Sequence, residues 1–197
     1  MKNNFTYKIL RVILSPIFKL WYNPKIINKK AIPKNGPIII VGNHKHVYDQ
    51  CLTIISTNRT INYLAKKEYF EGKLAWFFKA VGCIPVNRQN KDSDAVNSAI
   101  KILNQNGAIG IFPEGTRNKT KQFLLPFKYG AVSIAKKTNA TIVPFGLTGD
   151  YKFRSKNLMA RFGTPFKVGN MSLEEANTKL YNEIKILMEQ NLTKQKN

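Results

Sequence analysis

The sequence is poor in cysteine and in long apolar runs, and each shortage excludes a class of protein. Cys51 and Cys83 are too few for the disulfide framework of a small secreted domain, so we expect a reducing setting and two small buried side chains. No uncharged apolar run approaches the ~18 residues that a membrane-spanning helix needs. The stretch FTYKILRVILSPIFKLWY carries Lys8, Arg11 and Lys19 and precedes no cleavage site, so it is a poor signal peptide. Any contact with a bilayer is therefore expected to be peripheral.

Acidic residues are also scarce, 11 against 32 basic ones, which gives a net charge of +21. A field of this sign favours nucleic acid, acidic proteins or an anionic membrane surface as partners. A basic nucleic-acid-binding protein is the non-enzymatic alternative, and it predicts exposed aromatics among cations on one face, or a reading helix. No such element stands out, and the charge is spread along a chain enriched in Lys, Asn and Ile. We therefore expect no nucleic acid partner.

Residues 5 to 22 predict two short helices, because Ser15 supplies an N-cap and Pro16 stands at the first helical position. The apolar positions at helical spacing are Phe5, Ile9, Val12, Ile13, Ile17, Leu20 and Trp21. Cations among them suit an amphipathic two-helix motif that docks on a membrane, although packing on the domain's own core fits the pattern as well. The polar connector NPKIINKKAIPKNGP follows. It separates an N-terminal unit, residues 1–30, from a domain over residues 31–197.

Five apolar runs of strand length mark that domain: PIIIVGN, INYLA, CIPV, AIGIF and ATIVPFGL. Helical patterns stand between them, in DQCLTIIS, KLAWFFKAV, DSDAVNSAIKILNQNG and YGAVSIAKKTN. A last helix, SLEEANTKLYNEIKILMEQNL, opens with a capping box formed by Ser172 and Glu175. Near-continuous apolar strands that alternate with helices predict an α/β fold with a largely parallel, twisted sheet covered by helices.

Both histidines of the chain lie in NHKHVYDQ, directly after the first predicted strand. Ligands in α/β sheets gather at the carboxyl ends of strands. Asp49, at the start of the next helix, could orient the imidazole of His44 and stabilise its protonated form, so His44 is a candidate general base. A metal site formed by His44, His46 and Asp49 is the alternative, but it lacks a third histidine or a further acidic cluster. His46 has no evident partner, and we expect its replacement to be better tolerated.

A second candidate site, IFPEGTRN, follows another apolar strand. Gly115 would let a ligand approach the backbone, Thr116 offers a hydroxyl, and Arg117 presents a planar fork suited to phosphate. Glu114 could accept hydrogen bonds from a polyol. Further cations stand at the ends of two other predicted strands, namely Arg88, Lys66 and Lys67. Together these residues predict a pocket for an anionic substrate.

In combination these motifs resemble the glycerolipid acyltransferases, and most closely the 1-acyl-sn-glycerol-3-phosphate acyltransferases. Asn43, His44 and Asp49 fit the family pattern N-H-x4-D. The block GCIPVNR with Arg88 is similar to the second family motif, and residues 112 to 117 match the third, FPEGTR. The apolar strand ATIVPFGL with Pro144, preceded by PFKYGA, is similar to the fourth. Asn118 and Asn87 depart from the family's usual serine and aspartate.

The resemblance implies transfer of an acyl group from acyl carrier protein or coenzyme A, or from an acyl phosphate, to the free hydroxyl of lysophosphatidate. It implies that His44, oriented by Asp49, is the base, that Arg117, Arg88 and Lys66 hold the phosphate, and that Pro144 helps to line the acyl region. Glu114 and Gly115 would shape the glycerol site, and Thr116 is a further substrate-binding residue. No metal, organic cofactor or acyl-cysteine is expected. The implied location is the cytoplasmic face of the cell membrane, and glycerol-3-phosphate or another lysolipid stays open as the acceptor.

Overall fold

The computed structural model describes residues 5–87 and 92–196. Its strands are β1 Lys25–Ile27, β2 Ile38–Gly42, β3 Ile61–Lys66, β4 Ile84–Val86, β5 Ala108–Ile111, β6 Thr141–Thr148 and β7 Met159–Phe162. Its α-helices are α1 Phe5–Tyr22, α2 Asp49–Ile54, α3 Ala75–Ala80, α4 Ser93–Asn104, α5 Gly130–Thr138 and α6 Leu173–Lys196. Short 3₁₀ turns cover Lys29–Ala31 and Lys67–Phe70.

The strands form one sheet in the order β1-β7-β6-β2-β5-β3-β4. Five neighbouring strands pair in parallel, as the alternation of apolar strands and helices predicts, namely β6, β2, β5, β3 and β4. Strand β7 runs antiparallel to β6, and β1 pairs in parallel with β7, so these two strands at one side of the sheet run opposite to the rest. The predicted α/β class with a mostly parallel sheet is thus confirmed.

Helices cover both faces of the sheet, and each face has its own apolar core. Helices α4, α5 and α6 pack on one face, where Ala99, Val132 and Ile184 are fully buried. Helix α2 packs on the other face through Leu52, and α1 adds Phe18 there. The predicted capping box is present at the start of α6, since the Ser172 Oγ and the Glu175 carboxylate each accept the other residue's N–H, at 3.1 and 2.7 Å.

Strands β1 and β7 correct the sequence prediction. The connector assigned to residues 23 to 37 contains β1, and MARF was not predicted as a strand. Each is short and polar in part, so neither shows an apolar run, and the two form because they pair with each other. The Lys25 N–H donates to the Leu158 carbonyl at 2.9 Å, which starts this pairing.

Helix α1 corrects the prediction of a helix pair, because residues 5 to 22 form one helix with Pro16 inside it. Proline removes one backbone hydrogen bond and destabilises a helix by ~3 kcal/mol, but tertiary contacts hold both halves. Near the N-terminus, Tyr7 is buried and its hydroxyl accepts the Ile61 N–H at 3.2 Å. At the C-terminal end, the Trp21 carbonyl accepts the Arg154 N–H at 2.6 Å. These anchors stabilise both halves, and the helix continues through Pro16.

Two stripes along α1 answer the question of whether it packs on the domain or faces outward. The stripe that packs on the domain contains Tyr7, Phe18 and Tyr22. The aliphatic stripe that the sequence pattern picks out is exposed, with Val12 65% and Leu20 71% accessible. The helix is therefore attached to the domain and still presents an apolar surface. Within residues 5–87 and 92–196, no helix is long and apolar enough to cross a membrane.

Candidate active site

The loops after β2, β5 and β6 meet at one edge of the sheet, because these parallel strands all end there. His44 follows β2, Glu114 follows β5 and Tyr151 follows β6. Asn43 joins two of these strand ends, since its side-chain amide donates to the Leu147 carbonyl and accepts the Leu147 N–H, at 3.1 and 2.7 Å. Residues far apart in sequence are thereby brought into one site.

His44 and Asp49 form the central contact of this site. The His44 Nδ1 atom lies 2.8 Å from Asp49 Oδ2, and the Asp49 side chain is fully buried. Asp49 opens α2, as predicted. The imidazole stacks on Phe112 with 4.1 Å between ring centroids and 10° between planes, which fixes the plane of the ring. With Nδ1 held by the carboxylate, Nε2 is the ring nitrogen that can exchange a proton with a substrate.

Hydrogen-bond donors surround the Asp49 carboxylate. Oδ2 accepts the backbone N–H groups of Lys45 and His46 at 2.7 and 2.8 Å in addition to His44. Oδ1 accepts the Tyr151 hydroxyl at 2.7 Å. Lone pairs that already accept N–H and O–H groups are poorly placed to ligate a cation. In the part of the chain that the structure describes, no group of three His, Cys, Asp or Glu side chains could hold a metal ion.

Glu114 connects the β5 loop to the histidine loop. Its Oε1 accepts the His44 N–H at 2.6 Å and its Oε2 accepts the Leu125 N–H at 3.1 Å. In the reverse direction, the His44 carbonyl accepts the Asn118 N–H at 2.7 Å. Burial raises the pKa of the Glu114 carboxyl, and these backbone donors oppose that rise. The buried Glu114 side chain is therefore bonded to the protein backbone, which is a supporting position.

Gly115 makes the turn that lets this loop fold back. Its φ is 69°, in the left-handed region that side chains disfavour, and its N–H donates to the Phe112 carbonyl at 3.0 Å. The Lys128 side chain lies across the glycine, in the space next to where a Cβ would stand. Lys128 belongs to the PFKYGA segment and adds a cation to this edge that was not among the predicted phosphate contacts.

The other predicted residues divide by position. Thr116 and Arg117 are exposed on the same loop, and Arg117 lies close enough to lower the pKa of His46 by its charge. Lys66 is exposed at the carboxyl end of β3. Arg88 lies outside the described residues. Pro144 is buried within β6 and lies on the face that α6 covers, beside Gly163. Pro144 is thus separated by the sheet from the face on which His44 and Phe112 stack.

His46 has a partner that the sequence does not reveal. Its ring stacks on Tyr151 with 4.3 Å between centroids, and its Nδ1 accepts the Tyr48 N–H at 3.3 Å. Burial is the main cause that lowers its pKa, and the Asp49 charge opposes this. Tyr151 also meets Tyr22 of α1, at 5.6 Å between centroids. An aromatic cluster therefore stands between α1 and the Asp49 carboxylate.

Neither cysteine resembles a nucleophile. Burial raises the pKa of Cys51 to about 12 and that of Cys83 to about 11. Both thiols are therefore protonated at neutral pH, whereas an attacking sulfur needs the thiolate form. The two thiols are therefore poorly suited to covalent attachment of a substrate.

Comparison with known proteins identifies similar chains. An acyltransferase family model matches residues 23–148. The chain is 33% identical over 145 residues to the 1-acyl-sn-glycerol-3-phosphate acyltransferase of Bacillus subtilis, a match that covers 73% of this chain and 71% of that protein. It is 33% identical over 141 residues to the protein of that name from Borreliella burgdorferi, covering 70% of this chain and 56% of the other.

The fold is also found in a solved structure. The crystal structure of a 1-acyl-sn-glycerophosphate acyltransferase from Thermotoga maritima superposes with a TM-score of 0.77 at 22% identity. The match covers 96% of this chain and 83% of that one.

Proposed function

This chain belongs to the acyltransferase family, and we propose that it transfers a fatty acyl group from an acyl thioester to the free hydroxyl of 1-acyl-sn-glycerol-3-phosphate, giving phosphatidic acid. The observation that carries the proposal is the 2.8 Å contact between His44 Nδ1 and a buried Asp49 carboxylate at the edge of the sheet. The names of the Bacillus and Borreliella relatives supply the substrate class.

In the proposed reaction, His44 Nε2 takes the proton of the acceptor hydroxyl while Asp49 stabilises the positive charge that forms on the ring. The hydroxyl oxygen attacks the thioester carbonyl, and a carbon–oxygen bond forms. The carbon–sulfur bond then breaks, and the thiolate leaves with the proton that His44 has taken. Both thiols of the chain stay protonated, which supports direct transfer over an acyl-enzyme.

The acceptor phosphate would be held by cations at the same edge. Arg117 is exposed on the loop that carries Glu114, and the guanidinium fork can hold two phosphate oxygens at once. Lys66 and Lys128 add charge at the ends of β3 and of the Gly115 turn. Arg88 and Thr116 are proposed as further contacts. Glu114 and Gly115 would shape the glycerol site by fixing the loop backbone.

We propose that the protein lies on an anionic membrane surface, on the cytoplasmic leaflet. The exposed stripe of α1 supports this, since it presents large apolar side chains that nothing in the described chain covers. The surplus of basic residues acts in the same direction, because a cation near an anionic leaflet contributes ~1 kcal/mol. The same surplus would attract an acidic acyl carrier protein, so that either this carrier or coenzyme A can be the donor.

An acyl-transfer assay with lysophosphatidate and both thioester donors tests the proposal. Replacement His44→Ala removes the base and should lower kcat by at least about 1000-fold. The matched control is His46→Ala, which removes the other histidine of the same loop and should cost less than about tenfold. Equal losses in the two variants, or transfer by His44→Ala at the rate of the unaltered protein, would refute the role of His44. Glycerol-3-phosphate and other lysolipids serve as competing acceptors in the same assay.

A further inference from the structure

The Asp49 carboxylate has two oxygens with different environments. Oδ2 is bonded within the loop to His44, Lys45 and His46. Oδ1 accepts one hydrogen bond, from the Tyr151 hydroxyl at 2.7 Å, and this donor comes from the β6–β7 loop on the far side of the site. Tyr151 is therefore the side chain that reaches Asp49 from another element.

The β6–β7 loop is built to hold Tyr151 in this place. At Gly149, φ is 83°, and a Cβ there would overlap the Asn157 carbonyl, so the chain can turn toward the site only with glycine. The Asp150 N–H donates to the Asn157 side chain at 3.1 Å, which closes the loop. Lys45 Nζ donates to the Gly149 carbonyl and so joins this loop to the histidine loop.

The Tyr151 ring is held as firmly as its hydroxyl. It stacks on His46 at 4.3 Å and meets Tyr22 of α1 edge-on at 5.6 Å. Burial also raises the pKa of the phenol, so the hydroxyl keeps its proton and stays a donor across the physiological range. A fixed donor of this kind holds the carboxylate in one rotamer and takes up part of its negative charge.

We propose that Tyr151 is a positioning residue for acyl transfer, which sets through Asp49 how strongly the catalytic histidine holds its proton. This inference rests on the proposed function. Removal of the Tyr151 hydroxyl would leave Oδ1 buried without its donor and the carboxylate charge less compensated. The uncompensated charge would hold the proton on the imidazole more strongly, so that His44 would be protonated, and unable to act as a base, up to a higher pH.

Other charged groups lie around His44 and His46 and remain in place when this hydroxyl is removed. Lys45 and His46 belong to the histidine loop, and Glu114 and Arg117 belong to the β5 loop. The Glu114 carboxylate bonds to the backbone of His44, and the Arg117 charge acts on His46. A change in the pH dependence after alteration of Tyr151 alone can therefore be assigned to its contact with Asp49.

The test compares Tyr151→Phe with the unaltered protein and with Tyr181→Phe, which removes a half-buried hydroxyl that donates to the Leu124 carbonyl and not to Asp49. The rate of acyl transfer is measured from about pH 5 to about pH 9. In Tyr151→Phe the acid limb of kcat/KM should move up by about one pH unit, with much of the activity recovered at high pH. A role in packing alone predicts an equal loss at every pH and no movement of the limb. That result, or an acid limb within about 0.3 pH units of the unaltered protein, would overturn the proposal.

Two further measurements keep the outcome decisive. The chain has two histidines, so the proton resonances of His44 can be followed by NMR, with His46→Ala for assignment. In Tyr151→Phe the midpoint of the His44 titration should also rise, whatever the enzyme assay gives. If the midpoint rises but no thioester is used by the unaltered protein, the proposed function fails and the positioning role stands. If Tyr151→Phe does not fold, 3-fluorotyrosine at position 151, a stronger donor, should move the midpoint down, and an unchanged midpoint would refute the role.

Discussion

Replacement of Asp49 by asparagine removes a charge while it leaves the shape of the site in place. The carboxylate accepts two backbone N–H groups through Oδ2, from Lys45 and His46, and the Tyr151 hydroxyl through Oδ1. An asparagine can keep its oxygen on the two backbone donors and turn its amide nitrogen toward the Tyr151 hydroxyl, which can accept a hydrogen bond as well as donate one. The His44 ring also stays stacked on Phe112. We therefore expect Asp49→Asn to fold.

The size of the effect follows from the contact between His44 and Asp49. Two unit charges ~4 Å apart attract by about 4 kcal/mol at the effective dielectric constant of ~20 that describes most protein sites. The imidazole carries part of a charge in the transition state, so about 2 to 4 kcal/mol of stabilisation is lost. Since 1.36 kcal/mol corresponds to a factor of ten in rate, kcat should fall by roughly 30- to 1000-fold.

The assay follows release of free thiol from a thioester donor in the presence of lysophosphatidate. The KM for the acceptor should change by less than about twofold, because Asp49 does not touch the bound phosphate in the proposed complex. Asp94→Asn is the matched control, since Asp94 also lies in the first turn of a helix but is exposed. Without the carboxylate, the histidine gains its proton less readily, so the acid limb should move to lower pH, opposite in sign to Tyr151→Phe.

Retention of activity would refute the reasoning. If Asp49→Asn is folded and its kcat lies within about threefold of the unaltered protein, the carboxylate does not stabilise the protonated histidine. If the acid limb moves to higher pH instead, the sign of the electrostatic argument is wrong.

The other predictions concern the acceptor and the membrane. Arg117→Ala should raise the KM for lysophosphatidate by about 10- to 100-fold with kcat nearly unchanged, since a charged hydrogen bond contributes ~1.5 to 3 kcal/mol. Lys137→Ala, on an exposed turn of α5, is the control. An unchanged KM in Arg117→Ala would exclude the phosphate contact. The double replacement Val12→Ser and Leu20→Ser should weaken binding to vesicles that contain anionic lipid by roughly 30- to 1000-fold, because burial of two side chains that are 65% and 71% exposed contributes ~2 to 4 kcal/mol. Ile186→Ser, on an exposed part of α6, is the control for loss of an apolar surface side chain. If the double variant binds the vesicles as tightly as Ile186→Ser does, α1 does not dock.

Much of the fold could be predicted because each central strand is a near-continuous apolar run. Ile38 to Val41 are buried on both faces of the sheet, so their apolar character is required by position and visible in sequence. Strand β7 shows no such run, because it contains Arg161, which is half-buried and donates to the Asn191 side chain of α6 at 2.9 Å. The continuity of α1 through Pro16 also depends on distant contacts, at Ile61 and Arg154, which local helix signals cannot contain.

The site shows the same division. The spacing of His44 and Asp49 is local, five residues, so the contact between them could be expected from a strand end and a helix start. Tyr151 is 102 residues from Asp49 in sequence, and no pattern around it marks a functional residue. The sequence also does not indicate that the two Glu114 oxygens accept backbone N–H groups from His44 and Leu125. Long-range partners of this kind become visible only when the strands are arranged in space.

The contact between Trp21 and Phe153 extends the exposed stripe of α1 to the edge of the sheet. The two rings lie 4.9 Å apart, and both are more than half exposed. Val47 and Tyr48, also exposed, carry this surface onward to the histidine loop. On a docked protein, a lysolipid could keep its hydrocarbon chain against apolar side chains all the way from the bilayer to His44. Its delivery would then be a two-dimensional search along the membrane plane, governed by the surface density of the lipid and not by its concentration in water.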